Sequence, residues 1–298
     1  EMVVDGGKID VQLPMPTARE GFFQDIAVLA YPSFVSEISD AGAKPKVTSS
    51  DPDFDVVLAT NGRADVQTTL RASTEKKAWI QFDYGTPHTI RSLWLSFDKA
   101  IADKGKTVLK TSADGKNFEQ VADVHLLRMG KKEHGVDERF TGITARFFRL
   151  ETEVTMDLAE IKLSAMYPFE GVLSRTSLFK VENHRLSDIG QPIENMVVKK
   201  ENVVNISSFM DENGRLIAKL PGGKWTILRF AYTITGAVNS PASKEGGGLE
   251  VDKMSRPAFK TFYEGYVRNV INASKLVAPN ALQYTEIDSY EVGGQNWT

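Results

Sequence analysis

Cysteine is absent from the 298 residues, which excludes disulfides, zinc-thiolate centres and thiol nucleophiles while leaving the redox compartment open. Histidine is scarce. His88, His125, His134 and His184 show no metal-binding spacing, so each reads as a surface or packing residue. No stretch of about 18 consecutive apolar residues occurs, and no basic segment leads into an apolar one, so neither a membrane span nor a signal peptide is visible. A surplus of positive charge is missing too. The formal net charge of -3 offers a run of phosphates no basic field, so nucleic acid is not an expected partner.

What is present is the balance of an ordinary globular chain, with 41% apolar and 25% charged residues and enough length for two or more compact units. Lys8 to Leu13 alternates polar and apolar with period two, a strand with one buried face, ended by Pro14 to Pro16. Phe22 to Tyr31 is a denser apolar run before Pro32 and predicts a strand buried on both faces, in which Asp25 needs a partner. Ser39 to Asp55, rich in Ser, Asp, Gly, Lys and Pro, predicts a linker or long surface loop. Both ends give the impression of having been cut from a longer chain.

Beyond that linker, Trp79 to Tyr84, Ile90 to Phe97, Val108 to Ser112, Phe147 to Val154 and Ile161 to Ala165 are short strand-like runs. Punctuation by Gly, Pro and the Asp114-Gly115 turn predicts an all-β sandwich. Leu178 to Phe209 reads more weakly as further strands. Lys219 to Lys224 predicts a turn into a long strand from Trp225 to Ile234. Ser255 and Pro257 announce a helix whose Phe259, Phe262, Tyr263, Tyr266, Val270 and Ile271 form one packed face and which ends between Asn272 and Lys275. Leu282 to Asp288 reads as the next strand, so the order is that of a βαβ unit of a parallel sheet or barrel.

Such architectures place their chemistry at the C-terminal ends of strands. Two ends qualify, Thr235 to Asp252 and Asp288 to Thr298. In the second strand, side chains alternate, so Tyr284, Glu286 and Asp288 share one face directed at a barrel interior. Buried carboxylates are costly, and a strand that accepts two of them on one face uses them. Carboxylates together with Trp297 and amide side chains supply what glycoside hydrolysis needs: a proton donor, a second carboxylate, and hydrogen bonds and stacking for the sugar. The plainer alternative is that Asp288 and Glu291 are solvated loop residues capping a further helix. Gly105-Lys106-Thr107 has the end of a phosphate loop, but Ala100 stands where its first glycine belongs, so a surface turn is the reading. Asn205-Ile-Ser, Asn272-Ala-Ser and Asn296-Trp-Thr match glycosylation sequons of a length that arises by chance.

Two resemblances sharpen this picture. Trp79-Ile-Gln-Phe-Asp-Tyr-Gly85, Ile90-Arg-Ser-Leu93, Thr111-Ser-Ala-Asp-Gly-Lys-Asn-Phe118 and Arg146-Phe-Phe-Arg-Leu150 recur in the order of the discoidin (coagulation factor 5/8 C-type) pattern. Asn239-Ser-Pro-Ala242, Glu245 to Ser255 and Ile287 to Thr298 resemble the barrel motifs of the family 106 α-L-rhamnosidases, with a weaker likeness at Asp25 to Pro32.

The resemblances imply a mixed, β-rich multidomain protein: a discoidin-like β-sandwich jelly roll, β segments, and the opening βαβ unit of a (β/α)8 barrel. The division they imply is a β segment over 1–40, an inserted sandwich over 41–167, a β-rich segment over 168–234 and the start of a barrel over 235–298. They further imply an inverting α-L-rhamnosidase, periplasmic or secreted, acting on a rhamnose-containing polysaccharide, with calcium near the site but no assigned metal ligands. Glu291 takes the place of the general acid, Asp288, Glu250 and Asp252 neighbour the substrate or a metal, and Gln295, Asn296 and Trp297 bind the sugar. The second catalytic carboxylate is expected beyond Thr298. The competing expectation is a non-catalytic carbohydrate-binding or scaffold piece built around the sandwich, whose likeness to binding modules is one of fold only.

Overall fold

The structure, a computed structural model, describes residues 1–16, 18–62, 66–97, 105–126, 135–167, 197–240, 242–280, 282–284, 286, 295 and 297–298; for 135–137 it describes the backbone alone. The alternation from Lys8 belongs to β1 (Met2–Gln12), which starts earlier than the pattern suggested and turns Ile9 inward. β2 (Gln24–Pro32) is buried at Val28, Ala30 and Tyr31, but Ile26 is exposed, so burial on both faces holds only toward its end.

The segment that read as a linker is instead partly regular. The end of α1 (Val35–Gly42) and β3 (Lys46–Ser49) fall within it. Composition misled because the polar residues are spent internally. The Glu37 carboxylate accepts the Phe34 N–H at 2.8 Å, closing the first turn, and Asp40 accepts the Ala165 N–H at 2.8 Å.

The sandwich is built by β3 together with β4 (Thr68–Leu70), β5 (Ala78–Phe97), β6 (Thr107–Ser112), β7 (Glu119–Asp123), β8 (Gly135–Thr152) and β9 (Met156–Ser164). Two runs expected as separate strands are halves of β5. Register shifts between Asp83 and His88 and between Ile90 and Ser92 bend it. Its first half pairs with β3 and its second with β9, while β8 accompanies both halves. A strand that bends in this way serves two layers. Between them lie Ile80, Phe82, Leu93, Leu95, Leu109, Phe148, Leu150, Leu158 and Ile161, all buried. The Asp114-Gly115 turn forms as expected: Gly115 has φ 74°, and Asp114 accepts the N–H groups of Lys116 and Asn117.

A second, four-stranded antiparallel sheet has the order β1, β11 (Arg215–Tyr232), β2, β10 (Val204–Asn205). In sequence, its strands flank the sandwich. Its core, which includes Ile9, Val28, Leu216, Leu220, Trp225 and Ile227, is separate from that of the sandwich. Asp25 finds the partner its place demanded: Arg229 donates Nε and Nη2 to its two oxygens, each at 2.7 Å. The turn expected at Lys219 to Lys224 is a bulge inside β11. Pairing with β1 passes from Gly7 opposite Leu220 to Asp5 opposite Lys224, and Trp225 Nε1 donates to the Pro221 carbonyl at 3.0 Å.

After β11 come α2 (Arg256–Phe262), a π-helical turn (Tyr263–Val267) and α3 (Arg268–Val277). Ser255 caps the helix, accepting the Ala258 N–H at 3.3 Å, with Pro257 in the first turn. The helix ends slightly later than expected. Its aromatic face is not packed: Phe259, Phe262, Tyr266 and Val270 are exposed. Leu282, Gln283, Tyr284 and Glu286 form no strand and are exposed, so Glu286 does not turn into an interior; Thr285, Ile287 and Asp288 lie outside the described residues. All strand pairs among the described residues are antiparallel. Residues 178–196, where further strands were expected, are also outside them.

Candidate active site

The end of β11 and the segment that follows it form one wall of a pocket of about 240 Å³. Phe22 and Tyr232 close one side with rings edge to face, centroids 6.0 Å apart. Thr233 ties the exit of β11 to the start of β2: its hydroxyl donates to the Phe22 carbonyl at 2.7 Å and accepts the Arg19 N–H at 2.9 Å. Arg19 also donates to the Thr235 carbonyl.

Asn239 folds the following loop back on itself. Its carboxamide donates to the Gly246 carbonyl and accepts the Gly248 N–H, both at 2.8 Å. A bridge between Val238 and Leu249 and the bond from Glu250 N–H to the Ala237 carbonyl, 2.9 Å, complete a short hairpin. The glycines from Gly246 to Gly248 leave room for this return. Glu250 and Asp252 are thereby delivered to the pocket wall, where Glu250 lies 3.8 Å from Lys253 Nζ.

Asp252 accepts hydrogen bonds from Gln295 Nε2, from the Thr298 hydroxyl at 2.5 Å and from the Met254 N–H at 3.0 Å. Burial pushes its carboxyl up, but the bonds from Thr298, Gln295 and the N–H groups of Met254 and Ser255 outweigh burial and hold it below its ordinary value. It is an ionised hub. Gln295 also accepts the Lys253 N–H at 3.1 Å and donates to the Trp297 carbonyl at 3.1 Å. Trp297 lines the pocket with its ring half exposed, a position suited to stacking on a sugar face.

Of the residues singled out from sequence, Glu250, Asp252, Gln295 and Trp297 converge on this one pocket. Glu291, Asp288 and Asn296 lie outside the described residues. Phe22, Tyr232, Lys253 and Thr298 belong to the wall but were not foreseen as such; no periodicity links Phe22 to a residue 210 positions away. Among the described residues no three acidic, imidazole or thiol side chains converge as a metal site. Asp252 is hydrogen-bonded at both oxygens, and Glu250 lies 3.8 Å from Lys253 Nζ.

A structure of a rhamnosidase from Novosphingobium sp. PP1Y superposes on the whole chain with a TM-score of 0.71 at 22% identity, covering 29% of that chain, so the fold is that of a part of the rhamnosidase. A protein of Formosa agariphila that carries a provisional beta-glucuronidase name is 39% identical over 119 residues, 40% of this chain and 10% of that protein. A pectin-binding carbohydrate-binding module matches 42% of the chain at 21% identity with a TM-score of 0.33. The chain therefore spans under a third of the first two proteins. The family model for glycoside hydrolase family 106, alpha-L-rhamnosidase, matches residues 1–298, and the chain belongs to that family.

Proposed function

We propose that the whole protein is an inverting glycoside hydrolase that removes terminal α-L-rhamnose from a polysaccharide. The family match across all 298 residues carries this reading. The pocket supports it with carboxylates, a carboxamide and aromatic rings on one concave surface. In this reading Glu291 protonates the glycosidic oxygen of the departing sugar. Glu250, Asp252, Gln295 and Trp297, with Asp288 and Asn296, surround the rhamnose, and a second carboxylate activates water on the opposite face. Calcium near the site belongs to this reading, with no ligands assigned to it. The barrel opening over 235–298, the inserted sandwich over 41–167, the segments over 1–40 and 168–234, and a periplasmic or secreted address complete the proposal. A polysaccharide substrate favours such an address because it does not cross a membrane.

Incubating the whole protein with a rhamnose-bearing polysaccharide and following the first product by NMR tests this reading. Free L-rhamnose of inverted anomeric configuration is the expected result. Binding without release of sugar would instead favour a non-catalytic carbohydrate-binding role for the sandwich.

A further inference from the structure

Gln295 is bonded in a way that a sugar ligand would not require. Its carboxamide has two donors and one acceptor oxygen, and three protein groups meet them: the Asp252 carboxylate, the Trp297 carbonyl and the Lys253 N–H. The orientation follows from the partners. Turned over, the amide would set its oxygen against the Asp252 carboxylate and its N–H groups against the Lys253 N–H, and both contacts would repel. The Asp252 carboxylate is likewise occupied, by Gln295, Met254 and Thr298.

We propose that Gln295 is a positioning residue: it fastens Trp297 to the 252–254 turn and thereby sets where Trp297 stands relative to Glu250 and Lys253 on the pocket wall. This rests on the pocket being the sugar site. Beside Asp252 and Gln295, the pocket wall offers a ligand the Trp297 ring, the Glu250 and Lys253 pair, and the Phe22 and Tyr232 rings. Among the described residues, the charged side chain hydrogen-bonded to Gln295 is Asp252; Lys253 meets Gln295 through its backbone N–H, and its Nζ lies 3.8 Å from Glu250.

Amide hydrogen exchange of Lys253, measured by NMR as a protection factor on this chain, tests the fastening without reference to activity. In the parent, protection is expected to be constant from pH 5 to 8. In Gln295→Met, which keeps the length and loses the polar atoms, it should fall about tenfold or more at every pH. Gln295→Glu separates fastening from mere space-filling. As a neutral acid it can still donate to Asp252 and accept from Lys253, whereas as a carboxylate it repels Asp252. Its protection should therefore be near that of the parent at pH 5 and lost by pH 8. Parent-like protection in Gln295→Met, or protection in Gln295→Glu that does not change with pH, would overturn the proposal. Neither outcome bears on whether the whole protein cleaves rhamnosides.

Discussion

Glu37 and Asp40, three residues apart on α1, serve different cores. Glu37, 4% exposed, receives the Tyr31 hydroxyl and, at 3.0 Å, the Thr226 hydroxyl of the four-stranded sheet. Asp40 receives the Ser164 hydroxyl at 2.6 Å and the Ala165 N–H, and lies 3.3 Å from His88 Nε2, all in the sandwich. One eight-residue helix thus joins two sheets whose apolar cores are separate.

Alkaline stability should report this joint. Burial, then the hydrogen bond to Glu37 and its charge, raise the Tyr31 hydroxyl well above its ordinary value of 10.0, and burial raises Tyr84 as well. For each, the neutral form is favoured in the folded state. Their contribution is complete below pH 10 and is lost as pH rises above it, because the unfolded chain ionises first. The slope is at most about 1.4 kcal/mol per pH unit for each tyrosine. Urea titrations between pH 8 and 12 should show Tyr31→Phe less stable than the parent at pH 8 by about 1.5–3 kcal/mol, from the lost bond to a buried carboxylate, but with a shallower alkaline decline. Equal slopes would remove Tyr31 from the account.

Asp25→Ala should destabilise the four-stranded sheet by on the order of 3 kcal/mol, because the Arg229 side chain, 6% exposed, would be left without its carboxylate. Asp25→Asn should cost less, since an amide oxygen still accepts one of the two bonds. Thermal unfolding of both variants checks the order, and equal losses would contradict it.

Gly6→Ala tests the bulge in β11. A Cβ at Gly6 would lie 1.8 Å from the Pro221 carbonyl oxygen, and backbone cannot yield as a side chain does. A loss of about 1–3 kcal/mol is expected, with little change for Gly42→Ala, where no atom lies within 4 Å. Denaturant midpoints of the two variants should differ accordingly.

The segment 41–167 made alone should unfold cooperatively, since the sandwich core from Phe54 to Leu163 lies wholly inside it. It should be less stable than a segment beginning at 34, which keeps Asp40. Calorimetry decides, and aggregation without a transition would rule out an autonomous module.

Much of this fold was legible because period-two alternation and turn chemistry act locally: β1, the Asp114-Gly115 turn and the Ser255 cap need only neighbouring residues. The need for a partner at Asp25 was legible, but not which residue supplies it, since Arg229 is 204 positions away. Misreadings arose where tertiary contacts overrode composition. The polar stretch around α1 looks like linker until its carboxylates are seen to be claimed by two cores, and Pro221-Gly222-Gly223 looks like a turn until β1 is placed beside it. The aromatic stripe of α2 and α3 gives the helix correctly but not its surroundings. At the site, Glu250, Asp252, Gln295 and Trp297 were marked from sequence and line one pocket, although the strand expected before Gln295 is not formed at Leu282 to Tyr284 or Glu286, and Phe22 joins the pocket through its carbonyl, which accepts the Thr233 hydroxyl.

The central claim is that the whole protein is a rhamnosidase with Glu291 as its general acid, and leaving-group dependence tests it most directly. Glu291→Gln should be compared with the parent on a rhamnose disaccharide and on an aryl rhamnoside whose leaving group needs no proton. The account predicts turnover lower by about 10²–10⁴-fold on the disaccharide and far less affected on the aryl glycoside. Unchanged rates on both substrates would contradict it.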